Sequence, residues 1–249
     1  MKKSCIRLLL LLAWGWGLAF AVGAQPAEHV WGVNAGGQAW YWTNGAQWHE
    51  APSDNRLRHV SVGADGEVWA VEHSGAILQR ERGRWRQMPG AAVQVSVGSA
   101  RHVWVLNADE DIFRWTGMQW ERIAGKLVSI GAASDGTVWG VNRWGNVFRR
   151  DGATWTPMPP GPVQISVGSA EHVWGVDQQG NIMRWDGRRW RRVGGEMAQV
   201  AVASDGGAWG VKASGAIYRR EAGESAHWQL LQGWLVQIST AHHEPSPRR

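Results

Sequence analysis

Residues 164–193 read QISVGSAEHVWGVDQQGNIMRWDGRRWRRV, and turn residues divide them into four short runs, QISVG, HVWGVD, NIMRW and RRWRRV. The runs are rich in β-branched and aromatic residues with Gly and Asp between them, the pattern of short antiparallel strands. The unit recurs. A tryptophan preceded by Val or Ala falls at Trp31, Trp69, Trp104, Trp139, Trp174 and Trp209, at intervals of 38, 35, 35, 35 and 35 residues. A second series falls at Trp48, Trp85, Trp120, Trp155, Trp190 and Trp228, at intervals of 37, 35, 35, 35 and 38. Two series in phase over six copies do not arise by chance. Four strands per unit of this length predict a propeller blade. Helical repeats of similar length need a 3.6-residue apolar period, which is absent.

The ends of the pattern predict a closed ring. The chain enters at His29–Val33, the second strand of a unit that lacks a first, and leaves at Gln237–Thr240, a first strand that lacks a second. Together they complete one blade and remove an exposed sheet edge. The expectation is an all-β fold: a six-bladed β-propeller over residues 25–240, its ring closed by pairing of the N- and C-terminal strands. A disordered tail is expected at 241–249. The closing strand type carries small residues at one equivalent position, Ser61, Ser96, Gly131, Ser166, Ala201 and Ser239, as strands crowded around a central tunnel require. It is therefore placed innermost. Gly32, Gly140, Gly175 and Gly210 follow the first-series tryptophan and are expected to leave room for a ring from the next blade.

The pattern VSVG…VWGVN…RRDG…W, best seen in Val95–Trp120, Val138–Trp155 and Ile165–Trp190, resembles the tectonin repeat over essentially the whole chain after residue 24. The resemblance implies a six-bladed propeller that binds glycans, with N-acetylglucosamine-type sugars, bacterial lipopolysaccharide and O-methylated sugars as the family's ligands. The sequence departs from the pattern in a lengthened last unit at 221–227, in Ala203 where glycine is usual, and in the run Trp40-Tyr41-Trp42. A repeat family serves several roles, so the fold alone does not give the function.

Composition narrows the classes. The chain has 249 residues, 44% hydrophobic and 19% charged, with 20 tryptophans against 2 tyrosines and 3 phenylalanines. That excludes disorder and a disulfide-stapled miniprotein. Lys2, Lys3 and Arg7 precede an apolar run from Leu8 to Val22, and Val22-Gly23-Ala24 offers small residues for cleavage. Residues 1–24 therefore read as a signal peptide, with an uncleaved anchor as the weaker reading. Losing those three basic residues lowers the net charge from +5 to +2, and Cys5, the one cysteine, goes with them. The expected product is secreted or periplasmic and spans no membrane after cleavage. It shows no basic stripe for nucleic acid.

Catalytic signatures are missing. There is no recurring carboxylate pair, no Gly-x-Ser-x-Gly elbow and no thiol after export, so no enzyme and no cofactor are expected. No metal site is expected either, although turn residues Asp65, Asp135 and Asp205 leave calcium as a lesser alternative to their role as turn formers.

Odd and even units differ. Units one, three and five carry His29, His102 and His172 two positions before the first-series tryptophan, and end their third strands with Trp42, Trp115 and Trp185. Units two, four and six carry the three Asp-Gly turns and end their third strands with Arg80, Arg150 and Arg220. In a four-stranded meander the loops after strands one and three open on one face. His102, Trp115 and Trp120 should therefore cluster there, as should His172, Trp185 and Trp190, and His29, Trp42 and Trp48. An indole beside donors and acceptors suits a sugar, which stacks its C–H face and bonds its hydroxyls. Packing is the competing role for all these tryptophans, a local hydrogen bond for the histidines, and interblade ion pairs for the arginines. The leading expectation is a multivalent lectin recognising glycans or lipopolysaccharide. The alternative is a protein-interaction propeller, an envelope scaffold or accessory subunit, that binds no sugar.

Overall fold

The computed structural model describes residues 28–43, 47–54 and 56–242. The expected leader at 1–24 and residues 243–249 of the expected tail lie outside the described residues. The described residues form 24 strands in six four-stranded antiparallel sheets. Blade one contains β1 (Glu28–Val33), β2 (Ala39–Thr43) and β3 (Gln47–Ala51). Blade two is β4 (Leu57–Val62), β5 (Val68–Glu72), β6 (Ala76–Glu81) and β7 (Arg84–Ala91). Blade three is β8 (Gln94–Ser99), β9 (His102–Leu106), β10 (Asp111–Trp115) and β11 (Trp120–Lys126). Blade four is β12 (Ser129–Ala132), β13 (Val138–Val141), β14 (Val147–Asp151) and β15 (Thr154–Met158). Blade five is β16 (Gln164–Val167), β17 (Val173–Val176), β18 (Asn181–Trp185) and β19 (Trp190–Glu196). Blade six is β20 (Gln199–Val202), β21 (Ala208–Val211), β22 (Ala216–Arg220) and β23 (Gln229–Trp234). The last strand, β24 (Gln237–His242), returns to blade one and pairs with β1 from Glu28↔His242 to Val33↔Gln237. The fold is a six-bladed β-propeller whose ring closes as the repeat ends require. The closing strand includes Ala241 and His242, so the ordered ring runs two residues past the expected boundary at 240.

The QISV-type strands line the tunnel, and their small residues do more than fit. Two belts of side chains bind the backbone of the next blade. In one, Ser61, Ser96, Ser166 and Ser239 accept from the amides of Val97, Ala132, Val202 and Val62 at 2.9–3.1 Å. In the other, Gln94 donates to the carbonyl of Ile130 and accepts from its amide (3.0 and 3.2 Å). Gln164, Gln199 and Gln237 make the same two-way contact with Val200, Ile238 and Val60. Each bond satisfies an inner-strand backbone group that has no strand beside it on the tunnel side.

Two positions of the glutamine belt differ. Ser129 accepts from Ile165 N (3.0 Å). His59 stands where a glutamine would, with its Nδ1 enclosed and without a hydrogen-bond partner. Burial first, and Arg58 second, bring its pKa down to about 4.

The core lies between blades, in six clusters that each join neighbouring sheets. Trp69, Trp139, Trp174 and Trp209 are its largest fully buried side chains. The glycines after the first-series tryptophans have a different neighbour from the expected one. A Cβ at Gly140 would lie 2.3 Å from Leu127, and one at Gly32 would lie 2.4 Å from Leu235. The absent side chain makes room for the residue that leads into the blade's own inner strand, not for a ring of the next blade.

Candidate functional site

Each blade interface is built around a first-series tryptophan, and the alternation seen in the sequence decides what covers it. From even to odd blades the cover is two indoles. Trp69 meets Trp115 (5.8 Å) and Trp120 (5.7 Å), Trp139 meets Trp185 (5.4 Å) and Trp190 (5.9 Å), and Trp209 meets Trp42 (5.6 Å) and Trp48 (5.9 Å). The covering indoles stand opposite each other across a hairpin, as in Trp115↔Trp120 and Trp185↔Trp190.

From odd to even blades an arginine takes the place of one indole. Arg80 lies over Trp31 (5.1 Å) and Trp85 (5.3 Å), Arg150 over Trp104 (5.5 Å) and Trp155 (5.3 Å), and Arg220 over Trp174 (5.4 Å). A planar guanidinium on an indole face replaces a third ring with a cation–π contact. The expected interblade ion pairs of Arg80, Arg150 and Arg220 are not found among the described residues. Burial, the first cause in each case, pushes all three guanidinium pKa values down.

The fourth-strand tryptophans also bind across the interface. Trp120, Trp155, Trp190 and Trp228 donate Nε1–H to the carbonyls of Pro89, Ala124, Pro159 and Gly194 at 2.7–3.0 Å.

The histidines sit on the opposite face of their sheets from these tryptophans. His29, His102 and His172 lie against Gly66, Gly136 and Gly206 in the Asp-Gly turns of the following blades. At Gly206, where φ is +87°, a Cβ would come within 2.7 Å of the His172 ring. His102 and His172 also contact Ser99 and Ser169 through Nδ1, both at 3.0 Å. The aspartates of the same turns reach forward. Asp65 and Asp135 accept from Ala100 N and Ala170 N (both 2.8 Å), and Asp205 meets His242 Nδ1 at 3.3 Å. The expected one-blade cluster of histidine and two tryptophans therefore divides: the indoles turn to the preceding blade and the imidazole to the following one.

At the first interface the histidine shares a groove with arginines of the next blade. His29, Trp31, Tyr41, Trp42, Arg80 and Arg82 line an open groove of about 450 Å³ between blades one and two. Tyr41 stacks between Trp31 (5.2 Å, 29°) and His49 (5.6 Å, 27°), so the groove has an aromatic wall beside imidazole and guanidinium donors. In blades three and five the position of Tyr41 is held by Arg114 and Arg184, which pair with Glu121 (2.7 Å) and Glu224 (2.9 Å). Tyr41 and Arg82 were not singled out from the sequence. The signal was the Trp40-Tyr41-Trp42 run, which breaks the pattern that the other odd units keep. Among the described residues no group of three or more His, Cys, Asp or Glu side chains is placed to hold a metal ion.

A second groove, of about 600 Å³, opens between blades two and three. Ile77, Val93, Phe113 and Trp120 contribute apolar surface to it, and Arg58 and Asp109 are among its polar residues.

Comparison with known proteins agrees with the repeat. Tectonin-1 of Physarum polycephalum is 41% identical over 61 residues, 24% of this chain and 26% of that protein. Tectonin-2 of the same organism is 38% identical over 63 residues, 25% of this chain and 17% of that protein. The matched segments thus span about a quarter or less of those relatives' own length. The WD40 β-propeller domain of Doa1 superposes with a TM-score of 0.59 at 11% identity, over 82% of this chain and 78% of that one. The tectonin domain model matches residues 19–104, 91–184 and 162–245, which together include the whole described ring, and the chain belongs to the tectonin domain family.

Proposed function

We propose that this propeller is a carbohydrate-binding protein acting outside the cytoplasm, and that the groove between blades one and two is its principal sugar site. One observation carries the reading: His29, Tyr41, Arg80 and Arg82, drawn from two blades, meet on one open groove. A pyranose laid there places its C–H face toward the aromatic wall and its hydroxyls toward imidazole and guanidinium donors. N-acetylglucosamine-type or O-methylated sugars and the saccharide part of lipopolysaccharide are the ligands we put forward, by likeness to the family. We read the protein as a binding module and assign it no catalytic step. The residues before the ring, basic and then apolar, support export to the periplasm or beyond.

The test is intrinsic tryptophan fluorescence titrated with N-acetylglucosamine, O-methylated monosaccharides and lipopolysaccharide. A saturable change that disappears in Arg82→Ala and His29→Ala, with β-sheet circular dichroism intact, supports the site. A flat response across the panel overturns the reading.

A further inference from the structure

The interface between blades five and six carries an unusual concentration of charge. A groove of about 900 Å³ there is lined by Arg184, Arg191, Arg192 and Arg220 against only two carboxylates, Asp186 and Glu224. The arginines are close enough to repel: Arg184 contributes to lowering the pKa of Arg220. On the hairpin itself Arg184 stands directly opposite Arg191, and like charges facing each other across an antiparallel pair are destabilising.

The equivalent hairpin in blade three avoids this. There Arg114 faces Glu121, and the two form an ion pair at 2.7 Å. Blade five has no acid on the ladder at that place. Asp186 is already committed to the hairpin turn. Its carboxylate is held well below the usual range, first by the backbone N–H of Arg189 and then by Arg191 and Arg188. It accepts from Arg189 N (2.8 Å), Arg188 N (2.9 Å) and Arg191 Nε (2.6 Å).

The acid that meets Arg184 comes from elsewhere. Glu224 belongs to the segment that lengthens the last unit, and it reaches Arg184 Nη2 at 2.9 Å with its side chain 88% exposed. Its backbone carbonyl accepts from Arg220 Nη2 (3.2 Å). An ion pair this exposed adds little stability and is readily exchanged for another anion.

We propose that this groove is a second binding site, for a phosphate or sulfate monoester, with Arg184, Arg191 and Arg220 as its ligands and Glu224 as a replaceable carboxylate that occupies it in the free protein. Planar guanidinium groups bind such tetrahedral oxyanions in paired hydrogen bonds. Arg220 contributes a fixed donor because its guanidinium lies over Trp174. Trp228 lines the same groove and provides an apolar surface for the body of the ligand. The site does not depend on the sugar groove between blades one and two.

The experiment is calorimetric titration of the folded protein with glucose 6-phosphate, glucose 6-sulfate and glucose at low ionic strength. Both esters should bind and glucose should not. Arg184→Gln and Arg191→Gln should each weaken binding about tenfold, and Glu224→Gln should strengthen it severalfold by removing the competing carboxylate. The last is a gain that no unfolding artefact can imitate. The two esters separate by pH: phosphate should gain affinity as its second proton leaves near pH 6, whereas sulfate should not. Absence of ester binding to both the unaltered protein and Glu224→Gln would overturn the proposal. So would ester binding that the two arginine substitutions leave unchanged.

Discussion

The six blade interfaces fall into two kinds, and the contrast between them explains the alternation in the sequence. Where an even blade meets an odd one, three indoles fill the space, as in Trp139 with Trp185 and Trp190. Where an odd blade meets an even one, two indoles hold an arginine between them, as in Trp104 and Trp155 around Arg150. Both solutions present a flat group to a buried tryptophan. The difference is electrical: the second places a cation where burial already depresses its pKa. An alternation that reads as a ligand pattern is, in its larger part, two ways of packing one interface.

Removing the shared tryptophan should have the largest effect. Trp139→Ala should cost about 3–5 kcal/mol of stability, in the range for truncating a buried aromatic residue. Trp104→Ala should cost less by about 1 kcal/mol, because the guanidinium of Arg150 regains water when its cover is lost. Urea unfolding of both variants measures the difference, and equal losses would mean that arginine and indole are equivalent partners.

Converting one kind of interface into the other is a sharper trial. Trp115→Ala should cost about 2–3 kcal/mol, and Trp115→Arg, which copies the arrangement around Arg150, about 1 kcal/mol. A Trp115→Arg protein less stable than Trp115→Ala would show that the arginine needs its own blade context.

The tunnel offers a third comparison, between His59 and the glutamines at its equivalent positions. The folded pKa of His59 lies near 4, below its ordinary 6.5. Neutral His59 is therefore compatible with the fold above pH 6.5, and stability is lost as pH falls from 6.5 through 4 and the buried ring must take up a proton. Some access to the tunnel tempers the effect, which should reach about 2 kcal/mol at pH 4. Changing His59→Gln should remove that slope and raise stability at neutral pH by completing the belt. An unchanged pH profile in His59→Gln would place the acid sensitivity elsewhere. The smallest effect belongs to the other belt, where Ser166→Ala removes one bond to Val202 and should lower stability by about 1 kcal/mol.

The architecture was legible in the sequence because a propeller repeats its punctuation. Trp31 to Trp209 mark each second strand, and the unpaired runs at His29–Val33 and Gln237–Thr240 announce how the ring closes. The order of strands from tunnel to rim followed from the small residues at Ser61, Ser96 and their equivalents. The site was legible only in part. Residue spacing places Trp115, Trp120 and His102 at one end of a blade, but it does not say to which side of the sheet each turns. That is fixed by strand parity and by the neighbouring blade. Tyr41 and Glu224, by contrast, belong to stretches that depart from the repeat, the Trp40-Tyr41-Trp42 run and the lengthened segment 221–227, and both lie at grooves. In a chain whose repeats are otherwise alike, each of the two proposed grooves combines residues that keep the pattern with one that breaks it.

Ring closure has a consequence for how the protein is made. Glu28 pairs with His242, so blade one cannot be finished until the final strand has left the ribosome. Until then β1 presents an unpaired strand edge, a template for joining another chain. Contacts so distant along the sequence form slowly once the whole chain is available. The vulnerable interval in the life of this protein is therefore its synthesis, when blade one waits for the strand that completes it.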